Sequence, residues 1–237
     1  MAKTTGSDLL IRALRAEGVD TVFGIAGDHI LHMLDTMFDA PLRMIDFRHE
    51  SGAAHAADSY SRILKKGGVM LSTTPGHANA LPALANAMHS EAPLINIAGS
   101  AESANMGRGA MQEFDQIGAA RHITKGAWDV PTAARIPEYV ALAFRTALSG
   151  RQGAVHLTIP HDFQMAEGDD AEAARYAPNE YGTPLNVLGD PAQIERALDV
   201  LSSAQRPVIF AGSSAGATAL PAEVQRLIET LRIPFFS

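Results

Sequence analysis

The sequence predicts an α/β protein in which a parallel sheet carries helices on both faces. Two observations lead there. Short apolar runs alternate with longer segments of helical periodicity along most of the 237 residues. The runs are apolar at nearly every position instead of at alternate ones, the pattern of strands buried on both faces. The first helix reads from Ser7 to Glu17, with Leu9, Leu10, Ala13 and Leu14 as its apolar stripe and Gly18 as its stop. A strand follows at Thr21–Ile25. The turn Ala26-Gly27-Asp28 then opens a second helix, with Asp28 as N-cap and Ile30, Leu31, Met33, Leu34 and Met37 as its inner face. Next come a strand at Leu42–Phe47 and a helix at Ser51–Leu64, with Glu50 at its start and Lys65-Lys66-Gly67-Gly68 ending it. A strand at Val69–Thr73, a helix at Ala78–Met88 and a strand at Leu94–Ala98 continue the alternation. An irregular stretch runs from Gly99 to Gln116, followed by a helix at Ile136–Leu148 and a strand at Ala154–Ile159.

Residues 166–190 are rich in Ala, Glu, Asp, Pro and Gly and read as a linker, longer than an ordinary loop. Beyond it a helix at Ala192–Leu201, a strand at Pro207–Ala211, a helix at Ala222–Leu231 and a strand at Ile233–Phe236 are predicted. The expected organisation is therefore a first domain over 1–165, a linker over 166–190, and the start of a second α/β domain over 191–237. Two helices and two strands are too few to bury an independent core, so a piece of a longer polypeptide is expected.

Composition narrows the function. Hydrophobic residues make up 46%, enough for a sizeable core, and 19 basic against 26 acidic side chains give a formal charge of -7. That balance argues against nucleic acid or an anionic membrane surface as partner. The absence of cysteine excludes disulfides, thiolate catalysis and Cys-type zinc sites. The N-terminus runs straight into an amphipathic helix with no signal-peptide core, and no apolar run approaches the ~20 residues needed to span a bilayer. A cytoplasmic protein is expected.

If the strands are parallel, four segments meet at one sheet edge: Gly24–Asp28, Arg48–Glu50, Thr73–Gly76 and Gly99–Ala101. Each follows the carboxyl end of a strand, the edge at which α/β sheets bind ligands. Taken singly, the residues there have plain readings. Glu50 is a first-turn acid favoured by the helix dipole, Asp28 a cap, His29 a surface histidine and Gln112 a polar residue at a helix start. His49 and His55 near Glu50 lack the spacing of a helical metal pair.

Read together, these segments resemble a known family. Arg48-His49-Glu50-Ser51-Gly52-Ala53-Ala54-His55-Ala56-Ala57-Asp58-Ser59-Tyr60-Ser61-Arg62 resembles the glutamate motif of thiamine-diphosphate-dependent enzymes of the acetolactate synthase, benzaldehyde lyase and pyruvate decarboxylase superfamily. Phe23–His29 is similar to its first glycine loop, and Thr73-Thr74-Pro75-Gly76-His77-Ala78-Asn79 to its Ser/Thr-x-Pro-Gly-x-x-Asn loop beside the cofactor's pyrimidine. Met111-Gln112-Glu113-Phe114-Asp115 resembles the segment carrying an active-site glutamine, and Thr124–Gly126 and Val155–Asp162 match later strand patterns. The resemblance covers Gly6 to about Asp162, and residues 191–237 look like the start of the family's central domain.

The resemblance implies the family's thiamine-diphosphate-binding fold, and a role for Glu50. Its carboxyl group would hydrogen-bond the pyrimidine ring nitrogen and favour the imino tautomer of the exocyclic amine, which deprotonates the thiazolium carbon. Burial would raise the pKa of this carboxyl against the pull of the helix dipole. Ala26, Gly27, Asp28, Glu50, Thr73, Thr74, Pro75, Gly76 and Asn79 are the implied cofactor contacts. His29, His77 and Gln112 are the implied substrate contacts, with Glu50, His29 and Gln112 catalytic. No metal ligand is expected in this chain. The family's Gly-Asp-Gly signature for Mg2+ and diphosphate does not occur here, so both fall to a domain elsewhere in the same or another polypeptide. FAD contacts are not readable. The implied assembly is a homodimer or tetramer with the site shared between subunits, acting on a small molecule. The expected activity is a carboligase or lyase for 2-oxo acids, aldehydes or 2-hydroxy ketones, with His29 and Gln112 favouring this over simple decarboxylation. The alternatives are a 2-hydroxyacyl-CoA or oxalyl-CoA lyase of the same family, and, from another class, a non-catalytic dimerisation or nucleotide-binding module.

Overall fold

In a computed structural model of the chain, residues 4–169, 171, 175–176, 189–212 and 222–236 are described. The chain divides into two compact units, Met1–Pro184 and Leu185–Ser237. The first opens with helix α1, Gly6–Ala16. Thr5 and Asp8 start it with a reciprocal capping box: the Asp8 N–H donates to Thr5 Oγ1 at 3.2 Å, and the Thr5 N–H donates to Asp8 Oδ2 at 2.7 Å. Then follow β1 (Thr21–Gly24), α2 (Leu31–Phe38), β2 (Arg43–Asp46), α3 (Glu50–Leu64), β3 (Gly68–Ser72), α4 (Thr74–His89) and β4 (Leu94–Ser100). The unit continues with α5 (Gln116–Ala120), β5 (Ala127–Asp129), α6 (Ile136–Leu148), β6 (Val155–Pro160) and α7 (His161–Met165).

The six strands form one sheet in the order β2-β1-β3-β4-β6-β5, and every neighbouring pair is parallel. Alternation along each strand divides the core in two. On one face Val22, Val69, Leu71, Ile95, Ile97 and Leu157 pack with Leu10, Leu14, Met33 and Phe144 of α1, α2 and α6. On the other, Phe23, Met70 and Leu94 meet an alanine-rich surface of α3 and α4, including Ala53, Ala57, Ala80, Ala83 and Ala87. The small side chains bring these helices close. Asp58 of α3, only 1% exposed, is bridged by Arg62 Nε at 2.9 Å and by Asn86 Nδ2 of α4 at 2.8 Å.

Several elements differ from the sequence reading, each for a physical reason. Helix α4 begins at Thr74 instead of Ala78, because Pro75 lies in its first turn, where a missing N–H costs nothing. The segment read as the pyrimidine-side loop is therefore a helix start. Asp28 is not an N-cap: it lies inside a short 3₁₀ turn, Asp28–Ile30, whose cap is Gly27 with no side-chain bond. Leu31 is not on the inner face of α2, being 50% exposed, since that turn rotates the helix start. The stretch 99–116 holds the end of β4, a 3₁₀ turn at Ser103–Asn105 and the start of α5. The strand pattern expected at Thr124–Gly126 is realised just after it, as β5 at Ala127–Asp129, since three residues at a sheet edge show no periodicity to fix their bounds.

In the second unit, α8 (Pro191–Ser203) and α9 (Ala222–Leu231) accompany a two-stranded parallel sheet, β7 (Ile209–Phe210) and β8 (Phe235–Phe236). These strands are shorter than predicted. Neither helix has a buried residue among those described, and Ile194, Leu198, Leu227 and Leu231 stay exposed. Most of the expected 166–190 linker lies outside the described residues, as does 213–221.

The seat of α3 on the sheet depends on Gly68, where a Cβ would fall 2.1 Å from the Ala57 carbonyl oxygen. Gly68→Ala is expected to push α3 off β3 and destabilise the fold by ~1–3 kcal/mol, measured by urea unfolding.

Candidate functional site

Strand order places the site. From β1 the chain steps outward to β2, then crosses back over β1 to β3 on its other side, so the sheet switches direction between β1 and β3. A crevice outside the carboxyl ends of the strands opens at such a point. Gly27 follows β1 and Thr73 follows β3, and a Cβ on Gly27 would lie 2.4 Å from Thr73 Cγ2. The turn after β1 also presses on β4: a Cβ on Gly99 would lie 1.9 Å from the His29 carbonyl oxygen.

Glu50 is the first residue of α3. His49 caps that helix in extended conformation, its Nδ1 accepting the Ser51 N–H at 3.2 Å. Asn79 of α4 donates from Nδ2 to Glu50 Oε2 at 2.9 Å. The other carboxylate oxygen faces bare backbone, since a Cβ on Gly76 would stand 3.1 Å from Oε1 and 2.9 Å from Cγ. Glu50 is half-buried, not enclosed as expected, because it sits at the open edge of the sheet.

The predicted residues separate into two groups. Glu50, Gly76 and Asn79 converge directly, with Gly27 against Thr73 beside them; Ala26, Asp28, Pro75 and Asn79 are exposed. His29, Thr74 and His77 are buried in a polar circuit that the sequence reading did not identify. Gln112 joins neither group. It is exposed, in left-handed conformation at φ 58, on the loop before α5. That loop is tied down by carboxylates: Glu113 accepts the N–H groups of Gly107 at 2.5 Å and Ala110 at 2.9 Å, and Asp162 accepts the Ser103 N–H at 2.9 Å. The Gly107 and Ala110 N–H groups hold the Glu113 carboxyl below the usual carboxylate range.

The circuit starts at His29, whose Nδ1 lies 3.2 Å from Thr74 Oγ1. Gln116 Nε2 donates to Thr74 Oγ1 at 3.0 Å and to the Gly99 carbonyl at 3.1 Å. Thr158 donates to Gln116 Oε1 at 3.2 Å and lies 2.9 Å from His156 Nε2. Asn96 Nδ2 reaches both His156 Nδ1 at 3.0 Å and His77 Nδ1 at 2.7 Å. His77 Nε2 closes the ring on the Gln116 main-chain oxygen at 3.1 Å. The two imidazoles stack at 3.9 Å. Burial pushes His77 down from 6.5 to about 4. Burial, with His77 adjacent, drives His156 well below 6.5, and burial also lowers His29 against the opposing pull of Asp28.

Asn96, His156 and Thr158 had a signal in the sequence; Gln116 had none. Asn96 interrupts the apolar run Leu94–Ala98, and His156 and Thr158 interrupt Val155–Ile159. A polar side chain inside a buried strand needs a partner. Asn96 and His156 are paired in register across β4 and β6.

Among the described residues no group of three or more His, Cys, Asp or Glu is placed to hold a metal ion, and no helix is long and apolar enough to cross a membrane.

Residues 4–119 match a family described as "Thiamine pyrophosphate enzyme, N-terminal TPP binding domain". The chain is 36% identical over 219 residues to the acetolactate synthase isozyme 2 large subunit of Escherichia coli K12, covering 92% of this chain and 39% of that protein. It is 31% identical over 235 residues to oxalyl-CoA decarboxylase of the same organism, covering 98% of this chain and 42% of the relative. Among solved structures, a thiamine diphosphate-dependent 4-hydroxybenzoylformate decarboxylase from Rhodococcus jostii RHA1 superposes with a TM-score of 0.88 at 28% identity, over 98% of this chain and 44% of that one. The chain thus spans about two fifths of the length of the curated relatives it matches.

The buried histidines set a pH dependence. His77 is neutral in the folded chain down to about 4 but takes a proton near 6.5 once unfolded. The unfolded state therefore binds the proton first, and stability falls as pH drops through that window. A loss of roughly 3 kcal/mol between pH 6.5 and 4 is expected from His77 alone, at 1.36 kcal/mol per pKa unit. Urea unfolding across this range is the measurement, and a flat profile would show that the imidazoles are solvated.

Proposed function

The chain belongs to the thiamine pyrophosphate enzymes through its N-terminal TPP-binding domain, and from that premise we propose that it forms the pyrimidine half of a carboligase or lyase site. The observation that carries this reading is the setting of Glu50. Asn79 occupies Oε2, while Oε1 lies beside the bare backbone of Gly76. One oxygen is thus held by a fixed donor and the other is free to share a proton with a ring nitrogen. The bare Cα of Gly76 is what lets the Glu50 side chain lie here, since a Cβ there would stand 2.9 Å from its Cγ, and the aminopyrimidine would meet the carboxylate at its free Oε1. Thiamine diphosphate, bound with its aminopyrimidine there, supplies a nucleophilic thiazolium carbon and an electron sink. Glu50 holds or releases the proton at Oε1, Asn79 keeps the proton off Oε2, and the turns at Gly27 and Thr73 shape the crevice wall.

His29 is the proposed proton carrier toward substrate. Burial keeps its imidazole neutral, so it can accept a proton from a carbinol oxygen near neutral pH. The substrate class is 2-oxo acids, aldehydes or 2-hydroxy ketones. The likeness to an oxalyl-CoA decarboxylase favours a second reading, a lyase for acyl-CoA substrates, with the same role for Glu50. We assign Mg2+ and the diphosphate to a domain beyond these residues, met across a subunit interface of a dimer or tetramer. The described residues offer no acidic cluster for the metal, and the curated relatives are far longer than this chain.

Two outcomes test it. In the assembly of this chain with its diphosphate-binding domain, Glu50→Gln should slow hydrogen–deuterium exchange at the thiazolium carbon by at least about a hundredfold, the scale of positioned acid–base catalysis, without changing the far-ultraviolet circular dichroism. Exchange at the wild-type rate would refute the role of Glu50. The chain by itself should bind thiamine diphosphate weakly or not at all in calorimetry with magnesium present, because the charge-assisted diphosphate contacts are missing. Micromolar binding would mean that a diphosphate site lies within these residues.

A further inference from the structure

We infer that Thr74 is a positioning residue for His29: its hydroxyl oxygen accepts the Nδ1–H, so that the neutral imidazole is held with Nε2 bare, as a proton acceptor at the sheet edge. The inference rests on the reading of His29 as the proton carrier and adds which nitrogen does the work.

Proton directions around the circuit follow from groups that have only one role. The Gln116 main-chain oxygen can only accept, so His77 Nε2, 3.1 Å away, carries its proton. A neutral His77 then has a bare Nδ1, which fixes the nitrogen of Asn96 as the atom 2.7 Å from it. The second Asn96 N–H meets His156 Nδ1 at 3.0 Å, so that atom is bare as well and His156 Nε2–H donates to Thr158 Oγ1. Thr158 Oγ1, accepting there, has a single proton to offer to Gln116 Oε1 at 3.2 Å or to the Asp129 carboxylate. The Gly99 carbonyl can only accept, so the Gln116 side-chain atom 3.1 Å from it is the amide nitrogen, which donates to Gly99 and to Thr74 Oγ1.

Thr74 comes last. Its hydroxyl oxygen takes the Gln116 N–H and sends its single proton to the Gly99 carbonyl at 3.2 Å. One lone pair remains, and His29 Nδ1 lies 3.2 Å from it, in the position of a donor. Thr74 is 2% exposed and His29 4%, so water does not compete at this contact. The His29 backbone is pinned too: its carbonyl accepts Gln164 Nε2 at 2.7 Å and lies against the bare Cα of Gly99. Its Nε2 has no partner among the described residues. Burial lowers the basicity of His29, so the neutral tautomers are the forms that matter at neutral pH. Thr74, expected as a cofactor contact, has its hydroxyl fully engaged away from any ligand.

The experiment reads the tautomer directly, without turnover. The intact chain labelled with 15N-histidine is examined by long-range 1H–15N correlation, with the His29 signals assigned by their loss in His29→Ala. Wild type should show a protonated Nδ1 and a bare Nε2. Thr74→Ser, which keeps the hydroxyl, should show the same. Thr74→Val, equal in shape but lacking the acceptor, should lose Nδ1–H as the majority form. Thr74→Cys, a weak acceptor of similar volume, should move the same way and replaces the valine variant if that does not fold. A bare Nδ1 in wild type, or an unchanged tautomer in Thr74→Val or Thr74→Cys, overturns the inference. Carboligation by assembled enzyme bearing His29→Ala tests the proton-carrier role separately, so failure of one result is distinguishable from failure of the other.

Discussion

Parallel pairing is the constraint on which the rest of the structure depends. In a parallel sheet every strand ends at the same edge, so each strand-to-helix turn delivers its residues to one place. Glu50 comes from the turn after β2, Gly27 and His29 from the turn after β1, Thr73 to Asn79 from the start of α4, and Gly99 from the end of β4. Successive segments lie about twenty residues apart in the chain, and the first and last about seventy. No local preference brings them together; the register of the sheet does. Bare Cα atoms at Gly27, Gly76 and Gly99 then let the turns close to distances that any side chain would block.

The second consequence of that register is the buried circuit. Asn96 and His156 face one another across β4 and β6 because they share a register position, and Ala98 and Thr158 do so two residues on. These side chains lie on the face covered by α4 and α5, where His77 and Gln116 meet them. A polar ring inside a core contributes little net stability compared with apolar packing, but it imposes direction on each hydrogen bond. Packing alone would leave the orientation of an imidazole open.

How much was legible in the sequence depended on whether a feature is local. The strand–helix alternation was legible because each element carries its own period, and the parallel sheet followed from strands apolar at nearly every position. Glu50 drew attention because its neighbours form one continuous motif-like stretch, Arg48 to Arg62. The start of α4 lies four residues before the predicted Ala78 because Thr74-Pro75-Gly76-His77 carries no apolar stripe, while proline in a first turn is at home. Gln112 attracted attention through its motif, while Gln116, four residues later, is the glutamine buried among the histidines. Nothing near Gln116 in the chain marks it out; its partners are Thr74, Gly99 and Thr158, which only the fold assembles. The polar interruptions of β4 and β6 were visible, but their pairing was not.

Asn96 shows what the circuit asks of sequence change. It spends both amide protons on two imidazoles, and its own Oδ1 is left without a partner. A buried acceptor in that state costs about 1–3 kcal/mol, a debt accepted in return for the two donated bonds. An apolar residue at 96 alone would strand two bare nitrogens in the core, and an apolar residue at 77 or 156 alone would strand an amide proton. Replacing the asparagine and both histidines together would strand neither of these groups, but would take the imidazole donors from the Gln116 main-chain oxygen and the Thr158 hydroxyl. The positions are therefore coupled: the stability cost of changing any one of them depends on what stands at the others.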